Sequence, residues 1–293
     1  MRMRLAVVAT LATLLGQILL TAQGAAPVRR GPTLPLGVKS ARDNKTAADL
    51  WMWHMGMLRG VWEIDGVASL EIQRSTGTIR VGGQPCALTN YRASINYQTA
   101  GMRTQYTCMT ADGQTHKAIE VVSGQFAWDE DIVGAELVPG KGKATPNRAA
   151  LNERLIRLWS GPQGAPKAAV AAGANTKVTV EGGKPVLTYP IPGVPGAMAK
   201  ATLNAGTGDG PCAKNCAERI EVRQGSVLTE FIYSNYEDYN ERDNKVDAFF
   251  PGHIVEKRDG VTILDLTIVE TETGNLYVVM PVPESVRKSA ASR

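Results

Sequence analysis

The sequence predicts a mainly antiparallel β protein of the α+β class: a half-closed, strongly curved, barrel-like sheet of ten to eleven strands beneath a helical lid. Three observations lead there. From Val61 to Trp128, and again from Lys177 to Glu270, apolar and polar residues alternate with the period of half-buried strands. Turn signals such as "RSTGT", "VGGQP", "QTAGM" and "TADGQ" punctuate the first stretch at hairpin spacing, and Gly182-Gly183, Gly225 and Gly260 do so in the second. Between the two stretches lies a helical segment, and open twisted sheets of more than about ten strands curl or split, which is why closure is expected.

The elements follow in order. Arg2 and Arg4 precede an almost uninterrupted apolar run from Leu5 to Leu20, and small residues follow to Ala26, the pattern of a secretory signal over 1–26. That run is short of the roughly 20 residues of a membrane span, and the rest of the chain has none longer. A Pro/Gly/base-rich stretch, 27–45, reads as a flexible lead-in. Thr46 to Leu58 has a cap, Asp49 in the first turn, and Leu50, Trp51, Met55 and Leu58 at helical spacing. The first meander then runs to Trp128 and stops at the acidic, Gly/Pro/Lys-rich 129–144.

The insertion 145–173 is predicted as two helices. Thr145 is placed as the cap and Pro146 at the first helical position, with Ala150, Leu151, Leu155, Leu158 and Trp159 on one face. A short helix from Pro166 to Ala172 ends at Gly173. Strands "TKVTVEGGKPVLTYPI", "AMAKATLNA", "AERIEVRQ", "SVLTEFIYSNY", "GHIVEKRD" and "VTILDLTIVE" complete the second half, and the composition of 284–293 predicts a disordered tail.

Composition excludes several classes of partner and chemistry. Seven of the 32 Lys and Arg, but one of the 28 acids, lie in residues 1–45; the remaining 25 bases and 27 acids make the body weakly acidic, a poor match to nucleic acid. The four cysteines, Cys86, Cys108, Cys212 and Cys216, suit an oxidising compartment. Cys86 and Cys108 flank one hairpin and are expected to pair across it; Cys212 and Cys216 would close a small loop. A four-cysteine zinc site or a redox pair is the alternative, although no CxxC spacing occurs.

His54, His116 and His253 are the three histidines, and no G-x-S-x-G elbow offers them a nucleophile, so no enzymatic role is expected. Asp238, Asn240, Asp243, Asn244 and Asp247 could gather oxygens around calcium, but the loop pattern breaks at Arg242 and lacks its glycine, and a solvated loop is the plainer reading. Tyr233, Tyr236 and Tyr239 read as strand residues before they read as a sugar platform. No metal and no cofactor is expected.

The segment "IYSNYEDY", the crossing to "FFPGHIVEK" and the final "VTILDLTIVETETGN" resemble the periplasmic lipoprotein-carrier superfamily of LolA, LolB and LppX-like proteins, by motif over 217–275 and loosely over 46–275. The resemblance implies one domain over 46–283, an incomplete barrel covered by helices, and acyl chains held between them. On that reading Leu151, Leu155, Leu158 and Trp159 of the lid, with Phe231, Ile263 and Leu266 of the sheet, line a cavity for a lipid or for lipoprotein acyl chains. The expected protein is a monomer of the periplasm or extracellular space, working in outer-membrane biogenesis. The alternative is a cell-envelope module that holds a protein partner on its surface or on a sheet edge and has no ligand cavity.

Overall fold

Two meanders meet at one seam. In the computed structural model, which describes residues 69–204, 216–238, 249–273, 275 and 277–291, thirteen strands form a single antiparallel sheet. The first meander is β1 (Ser69–Val81), β2 (Gln84–Asn96), β3 (Gly101–Thr110), β4 (Thr115–Ser123), β5 (Phe126–Glu130) and β6 (Ala144–Pro146). The second is β7 (Lys177–Glu181), β8 (Lys184–Pro190), β9 (Met198–Leu203), β10 (Ala217–Gln224), β11 (Val227–Asp238), β12 (Phe249–Arg258) and β13 (Val261–Thr273). Within each meander every strand pairs with its sequence neighbours, and β1 pairs with β13, so the order runs β6-β5-β4-β3-β2-β1-β13-β12-β11-β10-β9-β8-β7.

This corrects the predicted half-closed, strongly curved barrel of ten to eleven strands. The sheet has thirteen, it is open, and its edge strands β6 and β7 do not pair with each other. Alternation reveals strands but is silent on which ends of a meander meet. Here the seam joins the first strand of one meander to the last of the other, which leaves the strands flanking the helical insertion at the two edges.

The chain passes from one edge to the other through α1 (Leu151–Trp159) and α2 (Gly164–Ala172). The helix was expected to begin at Thr145. It begins six residues later, because Ala144–Pro146 join the sheet as β6 and Asn147 instead caps a short 3-10 turn by accepting the Ala150 N–H at 3.3 Å. A side chain at Gly164 would collide with the Leu158 carbonyl, so only glycine allows α2 to start so close to α1. In α2, Ala165, Ala168 and Ala169 are completely buried, and their small size lets the helix lie close on β8.

The main core lies between α1, α2 and one face of the sheet. A second core, Val121, Trp128, Ala135, Ala144, Val278, Met280 and Val286, lies on the other face, since Val121 and Val122 alternate and Val122 belongs to the main core. The last segment covers it: Asn96 donates to the Val278 carbonyl at 2.7 Å, and α3 (Glu284–Ala291) packs on β5 and β6. Within the predicted disordered tail, Glu284–Ala291 therefore form a helix, anchored by buried Val286. All described residues fall in one compact unit, Gly31–Arg293; the signal segment, the lead-in and the 46–58 helix lie outside the described residues. No helix among the described residues is long and apolar enough to cross a membrane.

Candidate interaction surface

The seven predicted cavity residues are not gathered around a shared ligand cavity. Leu155, Leu158, Phe231 and Leu266 are all buried in the main core; Leu151 and Trp159 are half-buried at its margin, where the Trp159 ring lies 6.4 Å from that of Tyr97. Ile263 is on the wrong face. It is three positions from Leu266, and a strand sends residues an odd number of positions apart to opposite sides: Leu264, Leu266 and Ile268 face the core while Ile263 is half-buried on the other face. The apolar stripe of α1 is interior packing, and the acyl-carrier reading is corrected accordingly.

Where a lid would open onto a cavity, α1 is instead bound to the sheet by charge. Arg157 Nε and Nη2 donate to the two oxygens of buried Glu256 on β12 at 2.8 and 3.1 Å, and Nη1 approaches Glu120 of β4 at 3.7 Å. Burial opposes the charge on Arg157, but Glu256 first and Glu120 next more than offset it and hold the guanidinium charged. Arg154 donates to the carbonyls of Val121 at 3.0 Å and Trp128 at 2.7 Å and pairs with Asp129. Tyr233 donates its hydroxyl proton to the Ser160 carbonyl.

The disulfide Cys86–Cys108 forms as expected, with both residues fully buried and the Cα atoms 5.4 Å apart. Cys216 is also disulfide-bonded, and Cys212 lies outside the described residues. So do Asn240, Asp243, Asn244 and Asp247 of the calcium alternative, together with Tyr239 and His54. Among the described residues no group of three or more His, Cys, Asp or Glu side chains is placed to hold a metal ion.

The structure does assemble one row that the sequence left scattered. Ser234 of β11 lies 3.4 Å from His253 Nδ1, and His253 Nε2 lies 2.8 Å from Asp265 Oδ1 of β13. Only strand register could have revealed it, since Ser234 is directly opposite His253. The row lies on a ladder: from His253 to Arg258, β12 is paired with β11 on one side and β13 on the other, which commits its N–H groups there to the sheet.

The exposed feature that does not behave as ordinary surface is the connection from β5 to β6, residues 131–143. It was expected to be an acidic start followed by a Gly/Pro/Lys loop. It is a tightly hydrogen-bonded knuckle. The buried carboxylate of Glu130 forms its root, accepting from Arg103 Nε and Nη2 at 3.1 and 3.3 Å, Trp128 Nε1 at 3.0 Å and the Gly134 N–H at 2.9 Å. The Glu136 N–H donates to the Lys141 carbonyl at 2.8 Å, the Lys143 N–H to Asp131 at 2.7 Å, and the Ala144 N–H to Glu136 at 3.0 Å. Gly134, Gly140 and Gly142 supply left-handed backbone, and Glu136 adopts it at φ 64°.

One side of the knuckle is buried and the other is not. Ala135 is sealed in the second core, while Ile132, Val133, Leu137 and Val138 are each about half exposed, from 44% to 52%. Exposed Lys141 and Lys143 flank them. Four aliphatic side chains held out on a hydrogen-bonded loop are unlike singly scattered surface residues, and such clusters mark contact sites. Beyond α3 at the same end of the sheet runs an open groove of about 800 Å³, with Phe126 and Leu151 among its apolar lining and Arg148 and Arg287 among its polar lining. Periodicity could not flag the knuckle, because it has none.

No family model and no curated protein matches the chain. The lipoprotein-carrier resemblance thus gains no support from those comparisons, and the open sheet is not the incomplete barrel it implied.

Proposed function

We propose that the chain is an exported, non-enzymatic module of the cell envelope that holds a protein partner on its surface. The observation that carries this is the 131–143 knuckle, where Ile132, Val133, Leu137 and Val138 are presented on a backbone tied down through Glu130, Asp131 and Glu136. A pre-organised apolar contact loses little conformational entropy on binding. The flanking Lys141 and Lys143 suit a partner with an apolar centre and an acidic rim. Export rests on the N-terminal signal pattern, which puts the mature protein in the periplasm or outside the cell.

The test places a photo-crosslinking residue at Val133 in the exporting cell. The expected result is one discrete protein adduct, lost when Ile132 and Leu137 are changed to Ser in a variant whose circular dichroism is unaltered. No adduct, or one indifferent to those changes, would overturn the proposal. N-terminal sequencing of the same material checks export, with a start near Pro27 expected and retention of Met1 to Ala26 counting against it.

A further inference from the structure

We propose that β7 is a self-recognition edge, through which two copies of this chain pair antiparallel about a two-fold axis at Thr179 and extend the sheet across both subunits. The knuckle sits beside one edge of the sheet and β7 is the other, so this inference stands apart from the function proposed above.

The outer edge of β7 meets no other strand among the described residues. Among the described residues β7 has β8 as its single partner, and its residues are exposed except for half-buried Val178. Its register opposes Lys177 to Thr188, Val178 to Leu187, Thr179 to Val186, Val180 to Pro185 and Glu181 to Lys184. Proline has no N–H, so Val180–Pro185 is not a doubly hydrogen-bonded pair; the two-residue turn Gly182-Gly183, with φ of 57° and 80°, makes Glu181–Lys184 one. Alternation then commits Lys177, Thr179 and Glu181 to β8 and directs the N–H and C=O groups of Val178 and Val180 outward.

The side chains choose the partner. Edge charges normally discourage pairing, yet "KVTVE" is complementary to its own reverse. With the dyad on Thr179, Lys177 faces Glu181 of the second copy and Val178 faces Val180, the two residues whose backbone groups point out. Both ends of each outward pair therefore find a donor and an acceptor. Like charges meet in the parallel arrangement, where Lys177 opposes Lys177, and a one-residue slip sets valine against lysine and glutamate. Val180, 71% exposed, gains an apolar neighbour in the second copy. Lys177 forms no ion pair with a described residue, whereas Glu181 already holds Lys200 at 2.7 Å and can accept a second cation on its free oxygen.

Five residues per copy bury far less than the roughly 1,200–2,000 Å² of a standing interface, so a concentration-dependent monomer–dimer equilibrium is expected in place of the monomer anticipated from the sequence.

Sedimentation velocity of the mature chain over a concentration series tests this. The wild type should shift toward dimer with concentration. Lys177→Glu should abolish the shift, and the double exchange Lys177→Glu with Glu181→Lys should restore it. Val178→Pro removes an outward N–H that β8 does not use, and should give a folded monomer as judged by circular dichroism. A wild type that stays monomeric at every concentration overturns the proposal. So does a dimer indifferent to Lys177→Glu and Val178→Pro, or one abolished by Ile132→Ser and Leu137→Ser, which would place the contact on the knuckle.

Discussion

The Arg157–Glu256 pair shows how much of this fold depends on one contact between helix and sheet. Glu256 is 1% exposed, and its carboxylate is bonded through both oxygens to one guanidinium. Removing the cation alone strands a buried charge, so Arg157→Met should destabilise the fold by about 3–5 kcal/mol in urea unfolding, whereas Arg157→Met with Glu256→Met should recover most of that loss. A double variant as unstable as the single would show that the ion pair is not the main contribution of Arg157. Neither partner was legible beforehand, because a charged residue in an alternating strand or on a helix reads as solvent-facing, and the two lie 99 residues apart. Burial of Leu155, Leu158 and Leu266 was legible; that all three belong to one core shared by α1 and the sheet, and not to the walls of a barrel, was not.

At the scale of elements, hairpins were read well and their connections poorly. The pairing of Cys86 with Cys108 follows from short-range register, since β2 and β3 are adjacent and joined by a tight turn. With the cysteines 22 positions apart, replacing both by Ala should cost about 3 kcal/mol, read from the shift in the urea midpoint. The knuckle escaped the sequence because its order comes from side chains accepting backbone N–H groups. One of them, Glu136, is held below the ordinary carboxylate range, first by the hydroxyl of Ser285 and then by the N–H of Ala144. A depressed folded value means the contribution is present above the usual glutamate pKa and is lost as pH falls through the lowered one. The gap in melting temperature between wild type and Glu136→Gln should accordingly be widest near neutrality and close on acidification, and a gap that widens in acid would contradict the assignment.

Across the whole molecule, the seam between β1 and β13 and the return of the C-terminal segment decide the architecture. Val278, Met280 and Val286 cover Val121 and Trp128 on the face away from α1. Ending the chain after Thr273 should therefore expose the Trp128 indole, measured as lost protection of its N–H in hydrogen exchange, and destabilise the fold by several kcal/mol, since each such side chain contributes about 1.5–3 kcal/mol on burial. Because Leu155, Leu158, Phe231 and Leu266 are buried in the main core, organic extraction of the purified protein should recover no stoichiometric lipid, and a fluorescent fatty acid should not be taken up. What the sequence by itself determined is local: a strand-rich chain, its turns, one disulfide, and a helical pair between two meanders. These follow from periods of two and 3.6 residues and from glycine placement, which act within a few residues. Tertiary structure alone decided that the two meanders join at β1 and β13, that β6 and β7 are left as edges, that the tail forms a helix over a second core, and that four aliphatic residues stand out on an ordered loop. Those outcomes depend on contacts between residues tens to hundreds of positions apart, for which one sequence carries no periodic signal.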